Sequence, residues 1–384
     1  MTVCLLAGCG SSSSSTSSSS SGDVVKIGVY EPQSGDNGAG GKQEILGIQY
    51  ANSVAPTVDI GGKTYKVELA YADNQSSNDK AVSAATTLVS AGVSVALGSY
   101  GSSVSIAGSD TFAQANIPVI GISCTNPQVT QGNTHYFRIC FLDPFQGTVL
   151  ANFANQQLKA KTVYCLGQLG NDYDQGLINY FKQAAEKLGM KVYTESFPEG
   201  NSDFTSYITN AKNDKADVIF APTSTSYAQL IIEQASAQGV TVPLLAGDTW
   251  DSNVILAAMK GTKNQLYIST FYQEGGNADF DKGVKAWINS DANNVSNNGG
   301  NDTVAAVTAM GYDAYFVALE ALKAAGSTDS KAVNDALWGV TYDGVTGHIA
   351  FDKTNGDAIR DTAYIKTANT ETGAWEFVAQ QGVQ

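Results

Sequence analysis

The sequence has little positive charge and no long apolar run, and each absence excludes a class of partner. It contains 22 lysine and arginine residues against 36 aspartate and glutamate residues, which gives a net charge of −14, and no basic cluster occurs. Because binding to a phosphate backbone needs clustered cations, we predict no nucleic-acid partner. No run of about 18 apolar residues occurs, so the sequence predicts no membrane-spanning helix.

Motifs of catalysis and of cofactor binding are also missing. The glycine-rich stretch 35–42 lacks the glycine and the serine or threonine that a phosphate-binding loop needs, and neither GxGxxG nor GxSxG occurs. The chain has only two histidines, His135 and His348, and no CxxC pair, so it carries no zinc pattern. We therefore predict that the protein is not an enzyme and has no cofactor or metal.

The N-terminal segment has the features of an export and anchoring signal. The sequence LAGC at positions 6–9 resembles the lipobox of bacterial lipoproteins, in which the sulfur of the cysteine carries diacylglycerol. A serine-rich stretch of the composition typical of a flexible tether follows. A secretory signal has a positive region and roughly 7 to 15 apolar residues before its cleavage site. Little precedes this box, so we expect the start codon to lie further upstream.

These features predict a signal remnant over 1–9, a tether over 10–23 and a lipid on Cys9. They place the protein outside the cytoplasm, anchored by lipid to the outer face of the cell membrane.

Three further cysteines lie in the body of the chain. Cys165 stands in an apolar run, where a free cysteine behaves as a small hydrophobic residue. Cys124 and Cys140 are close enough in sequence to pair, and export would permit a disulfide. A bridge between them would close a loop of about 15 residues, which the chain-entropy model values at about 3 kcal/mol. The spacing allows this bridge without establishing it.

From Val24 onward, short β-branched segments alternate with longer helical patterns. Alternation of this kind predicts βαβ units, and right-handed crossovers then lead to parallel sheets. We therefore predict an α/β fold of two doubly wound parallel-sheet lobes, joined by three hinge crossings. The predicted lobes comprise 24–143 with 273–348, and 144–272 with 349–384.

Polar residues directly follow several predicted strands, where doubly wound sheets bind their ligands. A helix N-terminus with a serine favours an anionic group, and Asp248 offers charge to a cation. Each residue has an ordinary alternative as a helix cap or a packing residue. Four strand ends that face one crevice favour a binding site. The residues are Tyr100, Ser102, Ser103, Ser123, Thr125, Tyr173 and Asp248.

Several short motifs resemble those of the branched-chain amino acid binding proteins of ABC transporters, and the resemblance extends from Val24 to the C-terminus. It implies a type I periplasmic-binding fold whose two lobes close on an amino acid. The motifs are IGV at 27–29, SG at 34–35, YADN at 71–74, TNP at 125–127, FR at 137–138, DY at 172–173, GYDA at 311–314 and GHIAFD at 347–352.

The resemblance also implies roles for individual residues. Ser102 and the amide of Thr125 would hold the α-carboxylate of the ligand. The Ser123 carbonyl, the Thr125 hydroxyl and Asp248 would hold its ammonium group, and Tyr173 would close from the second lobe. The family usually has glutamate at the position of Asp248.

Two positions depart from the pattern of the family at the expected side-chain pocket. Gly40 stands where some relatives have tryptophan, and Tyr100 replaces an aliphatic residue. We expect Tyr100 and the loop 38–41 to shape the pocket. The resemblance implies a monomeric solute-binding subunit that delivers an aliphatic or other hydrophobic amino acid to an ABC permease. An amino-acid sensing receptor or regulator of the same fold is the alternative.

Overall fold

The computed structural model describes Met1 and residues 23–382, and within them the chain forms two large sheets and one small hairpin. The first sheet has the strand order β2-β3-β1-β4-β5-β6. Its strands are β1 (Val24–Glu31), β2 (Thr57–Ile60), β3 (Lys63–Asp73), β4 (Val95–Leu97), β5 (Val119–Gly121) and β6 (Tyr136–Arg138). The helices between them are α1 (Gly38–Val54), α2 (Asn78–Ala91) and α3 (Ser102–Gln114).

The second sheet has the strand order β15-β14-β11-β10-β9-β7-β8. Its strands are β7 (Thr162–Gln168), β8 (Lys191–Phe197), β9 (Val218–Phe220), β10 (Leu244–Ala246), β11 (Leu266–Thr270), β14 (Ala363–Asn369) and β15 (Ala374–Gln381). The helices that accompany it are α4 (Asp143–Gln156), α5 (Asp172–Lys187), α6 (Thr205–Asn213), α7 (Thr225–Ala237) and α8 (Asn253–Met259).

Four helices and the hairpin follow β11 in the described chain and return to the first sheet, where α11 packs against α1. They are α9 (Ala278–Asn289), α10 (Ala292–Asn297), α11 (Ala306–Ala325) and α12 (Ser330–Leu337), followed by β12 (Thr341–Gly344) and β13 (Gly347–Ala350). The chain therefore passes between the two sheets after β6, after β11 and after β13. We name the part built on the first sheet lobe 1 and the part built on the second sheet lobe 2.

The central strands are parallel and buried, as the apolar runs of the sequence predict. Ile27 of β1 pairs with Leu69 of β3 on one side and with Val95 of β4 on the other. Helices cover both faces, so strands such as β4 and β5 are buried at every residue. The predicted α/β class with two parallel-dominated sheets is confirmed. The alternation did not reveal β2 and β6, which are short strands at the edges of the first sheet.

A buried ion pair joins two of the passages between the sheets. Nε of Arg138 lies 2.6 Å from Oδ1 of Asp357, and the side chains are 0% and 8% exposed. Arg138 also donates to the carbonyls of Cys124 and Asn126. The passage after β6 is thereby tied to the passage after β13.

The predicted disulfide between Cys124 and Cys140 is not formed, because both residues are free, buried thiols. The Cys124 side chain packs with Tyr30 and Phe112, whereas the Cys140 side chain belongs to the cluster that contains Phe141. Burial raises the pKa of the Cys124 thiol to about 11, which keeps the thiol protonated and unreactive. Proximity in sequence therefore did not bring the two sulfur atoms into one cluster.

None of the described helices combines the length and apolar character that crossing a membrane requires. Cys9 and residues 10–22 of the tether predicted over 10–23 lie outside the described residues.

Candidate functional site

A cavity of about 310 Å³ lies between the two lobes, at the carboxyl ends of the strands of both sheets. The first lobe contributes residues that follow β1, β3, β4 and β5, and the second contributes residues that follow β7, β8, β9 and β10. Such edges are where doubly wound sheets bind ligands, and a cavity of this size suits a small molecule. Among the described residues no group of histidine, cysteine, aspartate or glutamate side chains is placed to hold a metal ion.

The N-terminus of α3 faces this cavity without a side-chain cap. Gly101 precedes the helix and has a φ of +104°, a conformation that favours glycine, and no side chain accepts a hydrogen bond from the first amides. The lining of the cavity includes Gly101, Ser102 and Ser103. Unpaired amides at a helix N-terminus attract an anionic group such as a carboxylate. This end of the cavity is therefore suited to an anion.

Asp248, on the turn after β10, provides the opposite charge. It is 1% exposed, and its Oδ1 accepts hydrogen bonds from Nε2 of Gln146 at 2.8 Å and from the hydroxyl of Tyr173 at 3.0 Å. Its Oδ2 is buried and has no hydrogen-bond partner. Burial raises the pKa of this carboxyl to about 7. A cation at Oδ2 would satisfy the free oxygen and stabilise the ionised form.

Ser102, Ser123 and Tyr173 all line the cavity, as the sequence predicts. Oγ of Ser102 accepts a hydrogen bond from the amide of Asn126 at 3.1 Å, so the serine also links α3 to the segment after β5. Ser123 donates its hydroxyl to the buried carboxyl of Glu44.

Thr125 and Asp248 lie behind the cavity wall and do not line the cavity itself. Thr125 is fully buried, and its carbonyl accepts a hydrogen bond from the amide of Asp143 at 3.0 Å. Asp248 reaches the cavity through its hydrogen bond to Tyr173.

Tyr100 does not line the cavity in the way expected of a pocket wall. Its ring fills the space over Gly40, where a Cβ atom would overlap the ring. Its hydroxyl donates to the carbonyl of Thr249 at 2.8 Å and so joins the two lobes. Gly40 and Tyr100 therefore compensate each other: the space left by a missing side chain on α1 is filled from the turn after β4.

Further hydrogen bonds join the lobes at the mouth of the cavity. The carbonyl of Asp36 accepts from Oγ1 of Thr225 at 2.8 Å and from the amide of Ser226 at 3.1 Å. On the same rim, Oγ of Ser103 accepts from the amide of Asp172 at 2.8 Å. The first turns of α5 and α7 thus contact lobe 1, and the described structure has its lobes in contact.

Several side chains at this site were missed by reasoning from the sequence. Glu44 and Gln146 lie inside helices, where a rule based on strand ends cannot find them. Glu31 is the last residue of β1 and Thr249 follows Asp248, so the strand-end rule applied to every strand would have included both. No pattern in the sequence indicates that Glu31 and Glu44 meet.

Comparison with known proteins gives consistent matches over most of the chain. A family model described as periplasmic binding protein matches residues 24–373. The crystal structure of a leucine binding protein, LivK from Thermotoga maritima MSB8, is 31% identical, with a TM-score of 0.82 over 94% of this chain and 99% of that one.

Two further relatives cover similar shares of the chain. The branched-chain amino acid transporter substrate binding protein LivJ from Streptococcus pneumoniae, solved in complex with isoleucine, is 26% identical, with a TM-score of 0.79 over 94% of this chain and 99% of that one. Leu/Ile/Val-binding protein homolog 1 of Brucella suis biovar 1 is 27% identical over 361 residues, which are 93% of this chain and 94% of that protein.

Proposed function

Since this chain belongs to the periplasmic binding protein family, we propose that it is the solute-binding subunit of an ABC importer and that it binds a branched-chain or other hydrophobic α-amino acid between its lobes. The family consists of binding proteins, and this membership confirms the prediction that the chain is not an enzyme.

One observation carries the proposal: an uncapped helix N-terminus lines the cavity, and a buried carboxylate with a partnerless oxygen lies behind the cavity wall, hydrogen-bonded to Tyr173 of that wall. The head group of an α-amino acid has a carboxylate and an ammonium group on the same carbon atom. The N-terminus of α3 attracts the first and Asp248 attracts the second. Few other metabolites present both charges so close together.

Different residues bind the two charged parts of the head group. Ser102 and the amide of Thr125 hold the carboxylate, while the carbonyl of Ser123, the hydroxyl of Thr125 and Asp248 hold the ammonium group. Tyr173 closes over the ligand from lobe 2 and at the same time orients Asp248 through the hydrogen bond between them.

The proposed side-chain preference draws on the named relatives and on Tyr100. LivK is named for leucine and LivJ was solved with isoleucine, so aliphatic side chains are the first to test. The ring of Tyr100 over Gly40 sets how far such a side chain can extend towards α1.

The two lobes act as hinged units in this proposal. We assign 24–143 with 273–348 to lobe 1 and 144–272 with 349–384 to lobe 2. The passages after β6, β11 and β13 support this division, because each connects the two sheets. Closing the lobes forms the hydrogen bonds that cross the mouth of the cavity.

We further propose that the protein works outside the cytoplasm as a monomer and hands its ligand to an ABC permease in the membrane. The family implies an extracytoplasmic location. A diacylglycerol on Cys9 would anchor the protein, since two acyl chains bind a membrane stably where one binds marginally. Cys9→Ser in the exported protein is expected to release it into the medium, and unchanged membrane retention would contradict the anchor.

A thermal-shift screen of the twenty amino acids tests the binding function. A ligand present at 100 times its Kd stabilises a protein by about 2.7 kcal/mol, which raises the melting temperature measurably. We expect leucine, isoleucine or valine to give the largest shift in melting temperature. Titration calorimetry then measures the affinity for the best of these amino acids. The absence of a shift with every amino acid, in protein that melts cooperatively, would refute the proposal.

A further inference from the structure

Beneath the ligand cavity, two glutamate side chains contact each other without a basic partner. Glu31 at the end of β1 and Glu44 on α1 are both 0% exposed. One oxygen of each, Oε1 of Glu31 and Oε2 of Glu44, is buried without a donor, and the two side chains lie close enough for a hydrogen bond between the carboxyl groups. Neither carboxyl takes part in an ion pair among residues 23–382. Two ionised carboxylates repel each other at such a distance, so a hydrogen bond between them requires a proton.

The remaining contacts connect this pair to the ligand site. Glu31 Oε2 accepts a hydrogen bond from the amide of Tyr100 at 2.6 Å, and Glu44 Oε1 accepts one from the hydroxyl of Ser123. Ser123 lines the cavity, and Tyr100 contacts lobe 2 through Thr249. The pair therefore fixes two chain segments, the turn after β4 and the turn after β5, from which the ligand is bound.

The groups that face the pair are acidic or neutral. Asp248 approaches Glu44 from lobe 2, and the Cys124 thiol approaches Glu31 from the turn after β5. Tyr100 contributes an amide and Ser123 a hydroxyl. Burial, which is the largest cause, raises the pKa of both glutamates. Glu44 raises the pKa of Glu31 further, and Asp248 raises that of Glu44, whereas the contacts of Glu44 with Glu31 and Ser123 lower it. Above the pair the only cation in our proposed function is the ammonium group of the ligand.

We propose that Glu44, backed by Glu31, is a positioning residue of the ligand site that holds Ser123 and gives up a proton when the ammonium group binds. This inference rests on the proposed amino acid function. In the empty site the pair is protonated. When the ammonium group arrives, the Glu44 carboxyl loses its proton to solvent. The positive charge of the ammonium group stabilises the resulting carboxylate, which keeps the Ser123 hydroxyl as its donor.

Titration calorimetry tests the inference by counting protons. The best amino acid from the screen is titrated at pH 8 in buffers of different ionisation enthalpy, which gives the number of protons released per ligand. Glu44→Gln keeps the shape of the side chain and an oxygen that accepts from Ser123, but it carries no titrating proton. We expect this variant to bind the ligand but to release at most half as many protons per ligand as the wild type. Its affinity should also depend less on pH between 7 and 9.

Matched variants separate this effect from its neighbours. Glu195→Gln alters a hydrogen-bonded glutamate on β8, whose partners are Tyr164 and Asn210, and should leave proton release unchanged. Asp248→Asn and Asp143→Asn each remove another buried carboxyl near the site whose pKa is raised, to about 7 and about 8 respectively. In variants that still bind, proton release that persists in both belongs to the glutamate pair. If Glu44→Gln binds the ligand and releases as many protons as wild type, the inference is wrong and Glu44 is only structural.

A second measurement covers the case in which Glu44→Gln fails to fold. The infrared difference spectrum of wild-type protein with and without ligand should show the loss of a protonated carboxyl signal, and Glu31→Gln should weaken that signal. A difference spectrum without such a loss overturns the inference. A protein that binds no amino acid in the thermal-shift screen refutes the proposed function instead, so the two failures are distinguishable.

Discussion

Asp248 gives the sharpest test of the ligand site, because its carboxyl carries the charge that we assign to the ammonium group and its Oδ2 is buried without a hydrogen-bond partner. Asp248→Ala removes one partner of a buried, hydrogen-bonded charge pair, a change that typically costs about 2 to 5 kcal/mol. At roughly 1.4 kcal/mol per decade, ligand affinity should fall at least about thirtyfold. By comparison, Ser102→Ala removes one hydrogen bond to a charged group, about 1.5 to 3 kcal/mol, and should weaken binding less.

The raised pKa of Asp248 predicts opposite pH dependences for binding and for stability. Because the pKa is about 7 without ligand, the carboxyl is mostly neutral at pH 5, and affinity should fall as pH decreases from 8 to 5. The ligand-free folded protein binds this proton between about pH 4 and 7, where the unfolded chain has already lost it. Its free energy of unfolding should therefore decrease as pH rises through that window.

Asp248→Asn separates these two effects. The asparagine oxygen can still accept from Gln146 and Tyr173, so the hydrogen bonds of the wild type are retained in part. At pH 8 the ligand-free variant should be more stable than wild type, by on the order of 2 to 4 kcal/mol, because no buried charge has to be maintained. Ligand affinity should nevertheless fall by nearly the same factor as in the alanine variant.

Calorimetry with the best amino acid from the screen and denaturant titration at pH 5 and pH 8 provide the two measurements. Asp110→Asn, which alters an exposed aspartate on α3, serves as the control and should change neither. An Asp248→Ala protein that binds within threefold of wild type would show that the ammonium site is elsewhere. A stability of Asp248→Asn below that of wild type at pH 8 would refute the argument about buried charge.

Other parts of the structure yield further expectations. Asp357→Asn leaves Arg138 buried without its ion-pair partner and should lower the free energy of unfolding by about 3 to 5 kcal/mol in a denaturant titration; a loss below about 1 kcal/mol would contradict the role of this pair. Tyr100→Phe keeps the ring over Gly40 but removes the hydrogen bond to lobe 2, which is worth about 0.5 to 1.5 kcal/mol. Ligand affinity measured by calorimetry should therefore fall severalfold. An unchanged affinity would mean that this hydrogen bond does not favour closure of the lobes. The three buried cysteines should resist thiol reagents in the native protein, and all three should react after unfolding without a reductant. Fewer than three reactive thiols within residues 23–382 would instead support the disulfide that the sequence allows.

Local patterns in the sequence were sufficient for the fold class and for part of the site. The alternation of β-branched strands and helices predicts two parallel sheets, because the side-chain period and the crossover rule act over short stretches of chain. The same logic placed Ser102, Ser123 and Tyr173 at strand ends, and each lines the cavity. It also selected Tyr100, which does not line the cavity, because a strand-end rule cannot show whether a large ring faces the ligand or fills a gap on a neighbouring helix.

By itself the sequence determined most of the strands and helices, although not the edge strands β2 and β6, and therefore which chain segments reach the cleft. Only the tertiary structure decided which side chains meet there. Glu31 and Glu44 come together because α1, which carries Glu44, packs over the end of β1, where Glu31 lies. Tyr100 covers Gly40 because the glycine leaves that space without a side chain. The Cys124 and Cys140 thiols are not bridged, and they belong to different clusters of buried side chains. Such contacts depend on how whole elements pack, and side-chain packing is specified by volume and direction in three dimensions, which local periodicity does not encode.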